Sequence, residues 1–166
     1  MAKNTRSIEE RLQALEDREA IAQAVCGYGY AMDGCNAPAV GSFYAEDGVY
    51  AVADVGAFEG RPAVEAITRR ETHLGLVHAG CAHISTPPYI VLDGDDAVAT
   101  CHTMVAMHGE NGFFVGRLSA SRIQLQRQAD GAWRIRHRQN YMLDGDPRGP
   151  AMLARLKEGR SLHEGK

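Results

Sequence analysis

The sequence predicts an α+β domain: N-terminal helices packed on a cone-shaped, curved antiparallel sheet that encloses an apolar pocket. Three observations carry this. Apolar residues recur at helical spacing through the first half of the chain and alternate at strand spacing through the second. The breaks between the alternating segments, Asp93-Gly94-Asp95, Gly109-Glu110-Asn111-Gly112 and Ala129-Asp130-Gly131, suit tight turns between antiparallel neighbours. A chain of 166 residues, 45% apolar and 23% charged, can bury one core without disulfides or a structural metal.

In chain order, Ser7 followed by Glu10 forms a capping-box pattern, and Ile8, Leu12 and Leu15 recur one turn apart, so a first helix is expected from about residue 7. A second apolar stripe, Ile21, Val25, Tyr28 and Met32, runs from Asp17 to Asp33-Gly34 and predicts a second helix of about four turns. Asn36 and Pro38 open a short helix over 37–44, and 49–53 has the β-branched and aromatic content of a strand. Gly60-Arg61-Pro62 starts a further helix over roughly 62–73. Four strands are then expected over 84–92, 97–108, 113–127 and 132–143, joined as a meander. Residues 1–156 are read as a single domain and 157–166 as a frayed polar tail.

Composition narrows the function. No segment has the roughly 18 uninterrupted apolar residues of a membrane span. A net charge of -3 and a single basic patch, Arg134 to Arg138, argue against nucleic acid as partner. The N-terminal MAKNTRSIEER lacks the apolar core of a secretory signal, so a cytoplasmic address is expected. The four cysteines show neither metal nor disulfide-framework spacing and are read as reduced and mostly packing. Phosphate-loop, dinucleotide, serine-hydrolase and zinc-protease motifs are all missing, and no metal or cofactor is expected.

Function is then sought among polar residues on apolar elements facing the pocket. Tyr28 lies on the buried stripe of the second helix; Tyr30 and Asp33 adjoin each other on a neighbouring face. Asp33 is either a solvated carboxylate or one kept for a purpose, because the helix dipole disfavours it there. Tyr50 could face the cavity or the core. His73, His78 and His83 stand five apart, a poor chelate on helix or strand, but His83 enters an apolar run where a partly buried imidazole needs a hydrogen-bond partner, usually a carboxylate. His102 and His108 share a strand parity, and either could be surface. Trp133 is read as core. Most of the arginines between 117 and 138 are placed on the outer sheet face, with Arg138 able instead to close the cone through an ion pair.

Several motifs resemble the SnoaL-like branch of the nuclear transport factor 2-like superfamily: LEDREAI at 15–21, Tyr28 with Asp33, FYAEDGVY at 43–50, FEGR at 58–61, His83 with Asp93-Gly94-Asp95, and DGAWRIRHR at 130–138. They cover nearly the whole chain. The resemblance is closest to the scytalone and bile acid dehydratases, in which Tyr28, Asp33 and His83 match the helix tyrosine, the carboxylate and the cavity histidine. Tyr50 falls about two residues before the corresponding strand tyrosine, and His108 falls within about a residue of a second histidine. Met32 and Val105 or Ala106 stand where those enzymes carry a tyrosine and an acid.

The resemblance implies a cofactor-free lyase of dehydratase type acting on a hydrophobic cyclic or aromatic small molecule. His83 would be the base, held by Asp33, with Tyr28 or Tyr50 donating to the developing oxyanion and His108 as accessory acid. An isomerase of the ketosteroid type, and a non-catalytic protein like the β subunit of ring-hydroxylating oxygenases, are the alternatives it allows. Epoxide hydrolysis would require an Asp-Arg-Asp set that has no evident place here. A homodimer or homotrimer is expected, because Leu118, Ile123, Leu125 and Ile135 leave the outer sheet face to be covered.

Overall fold

The computed structural model describes residues 6–159. A long helix α1 (Ile8–Asp33) and a short α2 (Ala37–Ser42) lead into β1 (Tyr44–Val52) and β2 (Gly56–Glu59). Helix α3 (Arg61–Ala66) continues through a 3-10 turn into α4 (Glu71–Ala79). Strands β3 (Cys81–Ser85), β4 (Tyr89–Asp93), β5 (Asp96–Gly109), β6 (Gly112–Arg127) and β7 (Trp133–Met142) follow, and α5 (Arg148–Ala154) closes the described chain.

The two helices expected at the N-terminus are one. The capping box is present, with the Glu10 amide donating to Ser7 Oγ at 3.1 Å and the Ser7 amide donating to Glu10 Oε2 at 2.7 Å. No proline or glycine interrupts 8–26, so the backbone carries straight on. What changes at Asp17 is the side on which apolar residues lie. Ile21, Val25, Tyr28 and Met32 face the sheet and are buried, whereas Ile8, Leu12 and Leu15 are exposed. Asp17 marks the switch. Its carboxylate accepts from Trp133 Nε1 at 3.1 Å, Arg127 Nη2 at 2.6 Å and Gln13 Nε2 at 3.0 Å, which pins the helix to the sheet.

The seven strands of the described residues form one sheet in the order β2-β1-β7-β6-β5-β3, with β4 also pairing β5. The single strand expected over 84–92 is broken, because Pro87-Pro88 lacks two backbone donors. Its halves pair successive stretches of β5, with His83 opposite Val105 and Tyr89 opposite Thr100. The expected all-antiparallel meander holds from β5 to β7, but β1 pairs β7 in parallel. The chain reaches β7 from β1 through all the intervening elements, so the pairing is a crossover rather than a hairpin. The core forms where α1 meets Ala99, Cys101, Ile123, Leu125 and Ile135 of the sheet. Burying each large aliphatic there contributes about 1.5–3 kcal/mol.

Helix α5 packs on β6 and β7 and buries Met152. Beyond it the carbonyls of Arg155, Glu158 and Gly159 accept from the guanidinium of Arg122, which is fully buried rather than lying on an open outer face. Most of the tail expected over 157–166 lies outside the described residues. Among those described, no helix is long and apolar enough to cross a membrane.

Candidate active site

The C-terminal end of α1 and the start of β3 meet unusually closely. A Cβ on Gly29 would lie 2.2 Å from the carbonyl oxygen of His83, so only glycine lets the helix come this near the strand. That approach brings Asp33 to His83, two residues fifty apart in sequence. Asp33 Oδ2 accepts from the His83 backbone amide at 2.8 Å, and Asp33 Oδ1 meets His83 Nδ1 at 2.6 Å. One carboxylate thus fixes both the backbone and the ring of the same histidine. Because a carboxylate accepts, Nδ1 carries the proton and Nε2 is left with the lone pair. Burial pushes the His83 imidazole below its ordinary value, against the opposing pull of Asp33.

Beside this dyad, His73 on α4 is buried, its Nε2 at 3.0 Å from the Met32 carbonyl and its ring 5.7 Å from that of His83. Cys81 Sγ lies 3.9 Å from Asp33 Oδ1, and burial together with that carboxylate raises the thiol above its usual value. Donor atoms of Asp33, Cys81 and His83 lie within 4.8 Å of one another, so among the described residues these are the ones grouped closely enough to hold a metal ion. In the present arrangement the Nδ1 proton bridges two of them.

Facing the dyad is a cleft lined by Tyr28, Tyr50, His83, Met104, Arg117 and Arg138 among others. It encloses about 320 Å³ when its open mouth is counted, and its interior has room for about one water molecule. Arg138 is buried, with its guanidinium carbon 4.5 Å from the Tyr28 ring centroid and 5.2 Å from that of Tyr50. It lies inside the cone rather than on the outer sheet face, and among the described residues it makes no ion pair. Its Nε reaches Asn140 Oδ1 at 3.4 Å, and Nη1 makes no hydrogen bond. A guanidinium stays charged at any working pH, so the cleft holds a positive charge with no carboxylate against it.

Tyr28 is buried, and that burial holds its phenol protonated well beyond the normal range. Tyr50 is also buried, edge-on to Tyr28 at 5.9 Å, with its hydroxyl accepting from Asn140 Nδ2 at 3.2 Å. Asn140 accepts in turn from Ser121, whose hydroxyl lies 3.2 Å from that of Thr103. Sequence reasoning missed Asn140, because four neighbouring strands build this chain of hydrogen bonds and no local pattern announces it.

Of the residues singled out from sequence, His83, Tyr28 and Tyr50 line the cleft, Asp33 holds His83 from behind, and His108 is not there. Opposite His83 stands Val105; His108 lies three residues further along β5, is exposed, and packs edge-on against Phe113 at 5.1 Å. Its alternation puts it on the other side of the sheet from Val105. His102 and Tyr30 are exposed too.

A bent sheet wrapped by helices, with a polar cleft at its open end, defines a class that comparison with known proteins makes definite. The SnoaL-like domain family matches residues 13–139, and the chain belongs to that family, within the nuclear transport factor 2-like fold. A crystal structure of a nuclear transport factor 2-like protein with a cystatin-like fold from Novosphingobium aromaticivorans is 35% identical, with a TM-score of 0.86, covering 92% of this chain and 99% of its own. A hexachlorocyclohexane dehydrochlorinase from Novosphingobium barchaimii is 15% identical with a TM-score of 0.69, over 80% of this chain and 90% of its own. A Catenulispora acidiphila structure in complex with S-DNPA is 23% identical with a TM-score of 0.61, over 84% and 98%. No curated protein matches.

Proposed function

We propose that this protein is a lyase that uses its own side chains, without a cofactor, to eliminate water or another small leaving group from a hydrophobic cyclic or aromatic molecule. The Asp33–His83 dyad carries the reading. His83 Nε2 takes a proton from a carbon made acidic by a neighbouring carbonyl or phenol, and the C–H electron pair becomes the new double bond. The leaving group departs with its own electron pair. Tyr28, held protonated, is the donor for a departing hydroxyl, and Arg138 stabilises the negative charge that develops in the cleft. Asp33 stabilises the imidazolium formed in the step.

An anion-stabilising group opposite a base is what such a reaction needs, and an unpaired buried guanidinium supplies it. The dehydrochlorinase of the same fold makes halide a leaving group worth testing beside hydroxide. Because the cleft has room for about one water, substrate entry must displace flexible wall side chains such as Met104 and Arg117.

The test is a panel of cyclic alcohols and halides with an acidic C–H beside the leaving group, followed by absorbance of the new alkene and by release of halide or loss of water. The wild type is expected to turn over at least one of them, and a folded His83→Ala variant to lose about 10²–10⁴ in rate. Products of unchanged mass would move the assignment to an isomerase. Retention of most turnover by folded His83→Ala would remove the dyad from the chemistry.

A further inference from the structure

The apolar stripe at the start of α1 lies on the side of the helix away from the protein's own sheet. Ile8, Leu12 and Leu15 are 76%, 54% and 65% exposed, while Asp17, about half a turn round from them, is buried against Trp133 and Arg127. This is not a core stripe that overhangs the sheet; it points elsewhere. A fully formed capping box holds the helix start in place, so these turns are not a fraying end.

We infer that this segment pairs in parallel with the same segment of a second copy of this chain. The flanking charges supply the argument for that occupant. With Leu12 at position a of a heptad, Ile8 and Leu15 fall at d, Asp17 at f on the far side, Arg11 at g and Glu16 at e. In a parallel two-stranded seam each g residue faces the e residue five positions later on the other helix. Arg11 of each copy therefore meets Glu16 of the other, twice per dimer. An antiparallel pair would instead set like flanks together, with arginine facing arginine and glutamate facing glutamate. Both side chains are exposed and neither forms an ion pair within the described chain. The seam stops where the helix settles on the sheet. Glu19 occupies the next a position, and Arg18 at the next g position already donates to the Ile90 carbonyl at 2.6 Å.

A seam of about one heptad is too short to hold unsupported helices together, and here the body of the domain pre-forms each helix. Association is therefore expected to depend on concentration. In sedimentation velocity, Leu12→Glu, at an exposed position that leaves the fold intact, is expected to raise the dissociation constant about tenfold or more. Arg11→Glu alone should weaken pairing several-fold, and Arg11→Glu combined with Glu16→Arg should return it to within about twofold of wild type. Identical association by all four proteins overturns the proposal unless another face already holds the copies together, and a cysteine test decides that case. Parallel pairing places the two copies of residue 8 side by side, so Ile8→Cys is expected to cross-link to dimer under mild oxidation well beyond the wild-type background. Cross-linking only when Ile8→Cys chains are mixed with Leu15→Cys chains, or no excess over wild type, overturns it.

Discussion

Asp33 stands in the last turn of α1, where the helix dipole costs a carboxylate about 0.3–1 kcal/mol. Two hydrogen bonds to His83, one to the amide and one to the ring, offset that cost and give the residue its use. The sequence raises the question of why an acid sits there, and the answer lies fifty residues away. Burial depresses the His83 imidazole, so at neutral pH the ring is an uncharged base. The acid limb of kcat/KM is accordingly expected below the ordinary value of about 6.5. Replacing Asp33 with Asn removes the influence that raises the ring, so the limb should move lower still while the plateau rate falls. A pH–rate profile of both proteins measures this. Arg138 makes a contrasting prediction. It has no counter-ion to leave stranded, so Arg138→Met should leave the melting temperature unchanged or higher while turnover falls by about 10²–10³. Equal losses of stability and activity would mean that the guanidinium is structural.

At the scale of elements, the site depends on how closely α1 approaches β3. Gly29 costs the helix about 1 kcal/mol relative to alanine, and its return is the contact with the His83 carbonyl. Gly29→Ala must push strand and helix apart, which is expected to destabilise the protein by about 1–3 kcal/mol and to misplace the dyad. Thermal denaturation together with turnover checks it; an unchanged protein would show that the approach is not needed. The same elements show what local pattern reveals and what it hides. The buried stripe Ile21 to Met32 and the β5 to β7 meander are legible because their periods of apolar residues are local and uninterrupted. The first helix reads as two from sequence because its apolar side changes at Asp17 without a break in the backbone. Pro87-Pro88 signals the division of the expected strand, and it lies inside an apolar run that disguises it. The parallel pairing of β1 with β7 and the hydrogen-bonded set around Asn140 depend on strands distant in sequence, so no window of sequence contains them. The resemblance places His108 only to within about a residue, and one residue is enough to turn a strand side chain to the opposite face.

Across the whole molecule, one sheet does two jobs. Its inner face packs on α1 to make a core, and its open end carries the cleft, walled by a mixture of aromatic, aliphatic and polar side chains with a base on one side and a cation without a counter-ion on the other. Stability comes from the packed half, which leaves the cleft free to hold groups that stability alone would not select. Everything proposed for the cleft needs His83 to offer it a neutral ring nitrogen, and NMR of the imidazole nitrogens tests that without any substrate. The ring is expected to be protonated at Nδ1 and bare at Nε2 at neutral pH. A ring protonated at Nε2, or an imidazolium at that pH, would leave no base in the cleft and would contradict that expectation.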